Sequence, residues 1–184
     1  MNNGKKVLII GLTLLTGFTY SAGAVTKDMK KVVDEALEFS VKQSMSMFNE
    51  MKDQKGILPR TAKDGKMITC ESAWWTSGFY PGSLWYCYEY SNDPQVRAAA
   101  EEMTSRVEKQ KYTTSNHDVG FIINCSFGNG YRLTHNETYR EVIETAAKSL
   151  STRFHPVTGC TRSWNSKKWQ FSVIIDNMMN LELL

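Results

Sequence analysis

Three times between Asp28 and Leu184 an amphipathic segment is followed by one that carries almost no charge, and no strand-period alternation interrupts the series. A helix with one apolar stripe needs cover on one side only, whereas a helix apolar all round must be buried on every side. A double-layered toroid satisfies both, with the uncharged helices as an inner ring and the amphipathic ones outside. The fold expected is therefore all-α, a stack of helical hairpins.

The first amphipathic stretch covers residues 28–54, with Met29, Val33, Ala36, Leu37, Met47, Phe48 and Met51 between charged residues. A Gly- and Pro-containing loop is expected from Lys55 to about Glu71. Beyond it, residues 74–88 are almost all apolar or aromatic, and Pro81 suits a first helical turn. Asp93-Pro94 is a cap followed by a first-turn proline. It predicts a helix to about Lys111 with Val96, Ala99, Ala100, Met103 and Val107 inward and Arg97, Glu101, Glu102, Arg106 and Glu108 outward. Residues 117–127 are uncharged after the first two, and Gly128-Asn129-Gly130 reads as a stop. Thr134 or Asn136 then caps a helix to Ser151, its inward face being Tyr139, Val142, Ile143, Ala146, Ala147 and Leu150. A loop over 152–172 carries Trp164 and Trp169 and leads to the last uncharged segment.

That segment, residues 173–181, sets one acid, Asp176, and two amides, Asn177 and Asn180, among apolar residues. Burial of an unpaired carboxylate is costly, so Asp176 asks for an explanation. Trp75 and Asp118 are 43 residues apart, Asp118 and Asp176 58, and each opens an uncharged helix. Parallel inner helices would bring all three to one mouth. Two carboxylates sharing a desolvated site cannot both ionise easily, which makes one a usable proton donor near neutral pH. The helix dipole acts the other way, and capping alone is an ordinary job for an Asp. His117 could orient Asp118 or meet a ligand, or be a satisfied structural histidine. Trp75, Trp164 and Trp169 could form a stacking floor for a sugar ring, whereas Trp74 and Trp85 read as core.

Residues 1–24 contain Lys5 and Lys6, an apolar run from Val7 to about Thr19, and Ala22-Gly23-Ala24. This is the pattern of a secretory signal cut after Ala24, with a run too short for a lasting membrane anchor. An exported, periplasmic protein is expected, with residues 25–184 forming one domain. Loss of Lys5 and Lys6 takes the formal net charge from +3 to +1, which gives no electrostatic footprint for nucleic acid. Cys70, Cys87, Cys125 and Cys160 lack zinc-ligand spacing and read mainly as buried free thiols. Arg153, Arg162, Lys167 and Lys168 read as solvated surface cations.

Four motifs now stand in one order: residues 75–85 (Trp75-Thr76-Ser77-Gly78-Phe79-Tyr80-Pro81-Gly82, then Leu84-Trp85), His117-Asp118-Val119-Gly120-Phe121, Ser163-Trp164, and Ile175-Asp176-Asn177-Met178-Met179-Asn180. Together they resemble the unsaturated glucuronyl hydrolases, glycoside hydrolase family 88. The resemblance implies an (α/α)6 barrel, of which about three hairpins, the N-terminal half, are legible here. It implies release of 4,5-unsaturated glucuronic acid from oligosaccharides left by polysaccharide lyases, through hydration of the C4=C5 double bond. Asp176 would protonate C4 and activate the water that attacks C5; Asp118 would hold the sugar and assist. Trp75, His117 and Trp164 would bind the substrate, and no metal or organic cofactor is implied. The competing readings are an unsaturated rhamnogalacturonyl hydrolase, which shares barrel and chemistry, and an inactive fragment or sugar-binding remnant with an exposed apolar flank.

Overall fold

The computed structural model describes residues 27–184. The signal segment expected over residues 1–24 lies outside them. Three amphipathic helices, α1 (Lys27–Met51), α3 (Pro94–Ser105) and α6 (Glu137–Ser151), form one layer. The second layer is α2 (Phe79–Ser91), then α4 (Val119–Ile123), which runs through a π-helical turn (Asn124–Gly128) into α5 (Asn129–Thr134), and finally α7 (Asn177–Asn180). Each long outer helix packs on an inner one, α1 and α3 against α2 and α6 against α4. Two apolar clusters fill the space between layers. Met51, Leu84, Trp85, Ala99, Ala100 and Met103 form one; Val107, Ile122, Phe127, Val142, Ala146 and Leu150 belong to the other.

Within the inner layer, neighbouring helices approach closely because glycine sits at their contacts. A Cβ on Gly78 would lie 2.2 Å from the Ile122 carbonyl oxygen, and one on Gly120 would lie 2.2 Å from that of Asn180. Such separations are far inside van der Waals contact, so only glycine permits α2, α4 and α7 to lie side by side. Gly78 faces Ile122 and Gly82 faces Cys125, so α2 and α4 run parallel, as an inner ring requires.

Four expectations are corrected. First, residues 55–71 are not a loop: β1 (Ile57–Lys63) and β2 (Lys66–Glu71) form an antiparallel hairpin. Asp64 and Gly65, at φ 51° and 72°, make the two-residue turn that Asp-Gly favours, a signal overshadowed by the helical rhythm around it. A smaller pair, β3 (Phe154–His155) and β4 (Cys160–Thr161), punctuates the later loop. Secondly, Gly128-Asn129-Gly130 does not stop its helix. The segment continues to Thr134 and ends at His135, which takes the left-handed conformation. Gly130 instead makes room for Tyr139 and Trp85, whose rings lie 2.7 and 3.0 Å from where its Cβ would be.

Thirdly, α3 ends at Ser105, followed by a 3-10 turn (Glu108–Tyr112), and Arg106 faces inward. Its guanidinium donates to the carbonyls of Lys52, Gln54 and Ile57 at 2.9–3.0 Å and to Glu102 at 2.6 Å. It thereby satisfies carbonyls around and just beyond the C-terminal end of α1, which the helix itself leaves unpaired. Fourthly, the segment after Ser172 is not a long buried helix. Val173, Ile174, Met178 and Met179 are exposed and Ile175 is 86% exposed, while Asn177, Asn180 and Leu183 are buried. The amides turn inward because the interior offers them partners, and the aliphatic side chains are left outside.

Asp93 caps α3 as expected, its carboxylate accepting from the Gln95 amide at 2.8 Å. Asn136, the second of the two candidates, caps α6. All four cysteines are free; Cys87 is buried, Cys70 and Cys125 are half-buried and Cys160 is exposed. No helix among the described residues is long and apolar enough to cross a membrane.

Candidate active site

His117 is the centre of the site, fully buried just ahead of α4. Its backbone amide donates to the Ser163 carbonyl at 2.7 Å, and an isolated bridge joins Asn116 to Trp164. The α6–α7 loop is therefore sewn to the start of α4. Asn177 fixes the imidazole. Its amide nitrogen donates to the Thr161 carbonyl at 2.7 Å and to the Ser163 hydroxyl at 3.2 Å, so its carbonyl oxygen faces Nδ1 of His117 and receives that proton. Nε2 is left without a hydrogen-bond partner among the described residues.

Nε2 points at both acids, 3.6 Å from Asp118 Oδ1 and 3.6 Å from Asp176 Oδ2. Both residues occupy helix N-cap positions, yet neither side chain makes a cap hydrogen bond. The capping explanation thus fails for both. Asp176 Oδ1 is itself buried and unpartnered among the described residues. Burial pushes the Asp118 carboxyl above its usual range; the His117 charge opposes the rise, Asp176 adds to it, and Arg153 opposes it. With neutral imidazole, Nε2 and two carboxylates would present only acceptors to one another. One proton among them would supply the donor that this arrangement lacks. All three donor atoms lie within 4.8 Å of one another, a spacing that would also suit a cation.

Asn180 completes the frame. Its Oδ1 accepts from the Phe121 amide at 2.8 Å and its Nδ2 donates to the Asp176 carbonyl at 3.2 Å, tying the acid on α7 to the helix that Asp118 opens. Asn177 and Asn180 are positioning residues that attention to the acid alone passes over. Their signal was an Asn-x-x-Asn spacing directly after Asp176, which puts both amides on one helical face.

The aromatic residues divide. Trp164, 39% exposed, meets His117 edge-on with ring centroids 5.7 Å apart. Trp75, 44% exposed, packs against Phe79 and Phe121 at 5.8 and 6.2 Å, and Phe121 lies one turn beyond Asp118. Trp164 thus lies against the histidine that both acids face, and Trp75 reaches that helix only through Phe121. Trp169 is exposed and carries Lys168 over its ring at 5.0 Å. Trp85 is core, donating to Thr104 at 2.9 Å, but Trp74 is not: Arg60 stacks on its exposed ring at 3.9 Å. A cavity of about 920 Å³ lies elsewhere, between α1, the β1–β2 hairpin and Thr76 and Phe79, and contains neither acid.

No protein-family model matches the chain. It is 47% identical over 113 residues to an unsaturated glucuronyl hydrolase of Formosa agariphila, covering 60% of this chain and 28% of that protein. It is 29% identical to an unsaturated chondroitin disaccharide hydrolase of Streptococcus pyogenes, over 83% of this chain and 39% of that protein. A crystal structure of an unsaturated glucuronyl hydrolase specific for heparin superposes with a TM-score of 0.73 at 39% identity, covering 82% of this chain and 42% of the other. The chain thus spans well under half the length of these relatives. The fold is a partial α/α barrel, with Asp118 and Asp176 at the N-terminal ends of the inner helices α4 and α7. Over the part it spans, the chain is similar in sequence and fold to unsaturated glucuronyl hydrolases.

Proposed function

We propose that the protein carrying this chain releases 4,5-unsaturated glucuronic acid from the non-reducing end of lyase-generated, glycosaminoglycan-type oligosaccharides. The observation that carries this reading is the convergence of Asp118 and Asp176 on Nε2 of buried His117, 3.6 Å from each, with the part-exposed Trp164 ring against the same histidine. Its glucuronyl and chondroitin-disaccharide hydrolase relatives support the substrate class and do not favour the rhamnogalacturonan alternative.

In the proposed reaction Asp176 delivers the shared proton to C4 of the unsaturated sugar, leaving cationic character at C5 that the ring oxygen stabilises. Water adds to C5 as the Asp176 carboxylate takes one of its protons, which restores the acid. The resulting hemiketal opens and expels the rest of the oligosaccharide. Asp118, with its carboxyl pushed up, holds the sugar and keeps a proton within the pair. His117, locked by Asn177, holds both acids in register, and Trp75 and Trp164 bind the ring. No step is routed through a metal or organic cofactor.

Incubation of the purified protein with unsaturated chondroitin or heparin disaccharides, beside unsaturated rhamnogalacturonan, tests the reading. Loss of the ultraviolet absorbance of the conjugated double bond with the first group is expected. Activity on rhamnogalacturonan alone, or none on any of them, would reject it. We also propose that the protein is exported to the periplasm after cleavage behind Ala24, leaving residues 25–184 within its mature domain. A mature N-terminus at Val25 is the expected result of N-terminal sequencing, and a retained Met1 would overturn it.

A further inference from the structure

The α6–α7 loop, together with Thr114, lines a second, partly open cavity of about 600 Å³. Arg153, His155, Arg162, Asn165 and Gln170 are among the residues that line it, and no Asp or Glu is among them. Arg153 is 7% exposed. Two of its nitrogens are used: Nε donates to the Arg162 carbonyl at 2.7 Å and Nη1 to the Thr114 carbonyl. Nη2 is buried with no hydrogen-bond partner among the described residues, and so is Nε of Arg162. The Arg162 amide donates to the Arg153 carbonyl at 2.9 Å, which keeps the two residues side by side.

Two neighbouring guanidinium groups with spare buried donors are an expensive arrangement for a chain to keep without a counter-charge. Burial and the charge of Arg162 both press the protonated form of Arg153 downward, and Asp118 opposes this only in part. The forked donors of arginine match the oxygens of carboxylate and sulfate or phosphate groups, and the Asn165 and Gln170 amides extend the donor set.

We propose that this cavity is a binding site for a sulfate or carboxylate oxyanion, with Arg153 and Arg162 supplying the charge. The site is separate from the reacting acids and does not depend on the reaction proposed there. The anion can be borne by a saccharide, as a sulfate ester or uronate, or be free in solution, and the two sources are separable by experiment.

Calorimetric titration and thermal unfolding of the protein with sodium sulfate and sodium acetate, against sodium chloride at matched ionic strength, test the proposal. A saturable response to sulfate or acetate beyond that of chloride is expected. Arg162→Gln, which leaves the backbone-bonded Arg153 in place, should weaken the binding at least tenfold while the far-ultraviolet dichroism stays that of the parent. Arg162→Lys should restore part of it. A saturated, sulfated chondroitin disaccharide that competes with sulfate, when its desulfated counterpart does not, assigns the anion to a saccharide; failure to compete assigns it to the free ion. A response no larger than that of chloride, or one unchanged in Arg162→Gln, would overturn the proposal, whatever the outcome of the hydrolase assay.

Discussion

Gly120→Ala probes how α4 holds α7, and with it how the two acids are kept together. The added Cβ would meet the Asn180 carbonyl oxygen at 2.2 Å, its Cα at 2.5 Å and its carbonyl carbon at 2.7 Å. A close carbon-to-oxygen contact in proteins is about 3.3 Å, so α7 must retreat by roughly 1 Å. The obstacle is backbone on both sides, and no side-chain rotation relieves it. Overpacking of this kind costs about 1–3 kcal/mol, and the retreat also strains the bond from the Phe121 amide to Asn180, worth about 1 kcal/mol more. A loss of about 2–4 kcal/mol is expected, read as a lower urea midpoint with an unchanged denaturant slope. Because Asp176 immediately precedes α7, the shift also moves its carboxylate relative to His117. A misplacement of about 1 Å can lower turnover on the order of a hundredfold even where the protein is fully folded. A variant within about 0.5 kcal/mol of the parent, with turnover within about twofold, would refute the claim that this contact sets the spacing of the acids.

Three further outcomes follow from the same geometry. Arg106→Ala should destabilise the fold by about 3 kcal/mol, because it strips charged donors from carbonyls at the end of α1; Arg106→Lys should recover part of that, and urea midpoints decide it. Asp118 holds its proton more tightly folded than unfolded, so its stabilising contribution is complete below about pH 3.9 and is lost as the pH rises through the raised value. Asp118→Asn, neutral throughout, should therefore gain stability relative to the parent as the pH rises from about 3.9 through that raised value, and a difference independent of pH would count against the burial of that carboxyl. Prolonged dialysis against a chelator should leave turnover within about twofold; a loss restored by zinc or another divalent ion would show that the three donors hold a metal instead of a shared proton.

The helical rhythm made the two-layer architecture legible, because the inner and outer segments differ in how much of their surface is apolar. The β1–β2 hairpin was hidden because its evidence is local, an Asp-Gly turn and a few alternating residues, and helical segments surround it. Arg106 was misplaced because amphipathic spacing assigns a face but not the unpaired carbonyls of a neighbouring helix. Asp118 and Asp176 were legible as acids in uncharged surroundings, although the premise for Asp176 was partly mistaken: its aliphatic neighbours are exposed, and the buried groups are Asn177 and Asn180. The roles of those amides depend on contacts across about sixty residues of chain, to His117 and Phe121, which periodicity does not reveal. The Arg153–Arg162 pair was hidden for the same reason, since arginines in a polar loop ordinarily face solvent.

Asp176→Asn tests the central claim most directly. The substitution preserves shape and removes the proton that the reaction sends to C4. Followed by the ultraviolet absorbance of an unsaturated chondroitin or heparin disaccharide, the variant should show no decay on the timescale of the parent, with an unchanged urea midpoint to within about 1 kcal/mol. Decay at a rate close to the parent's would contradict the account and remove Asp176 as the proton donor.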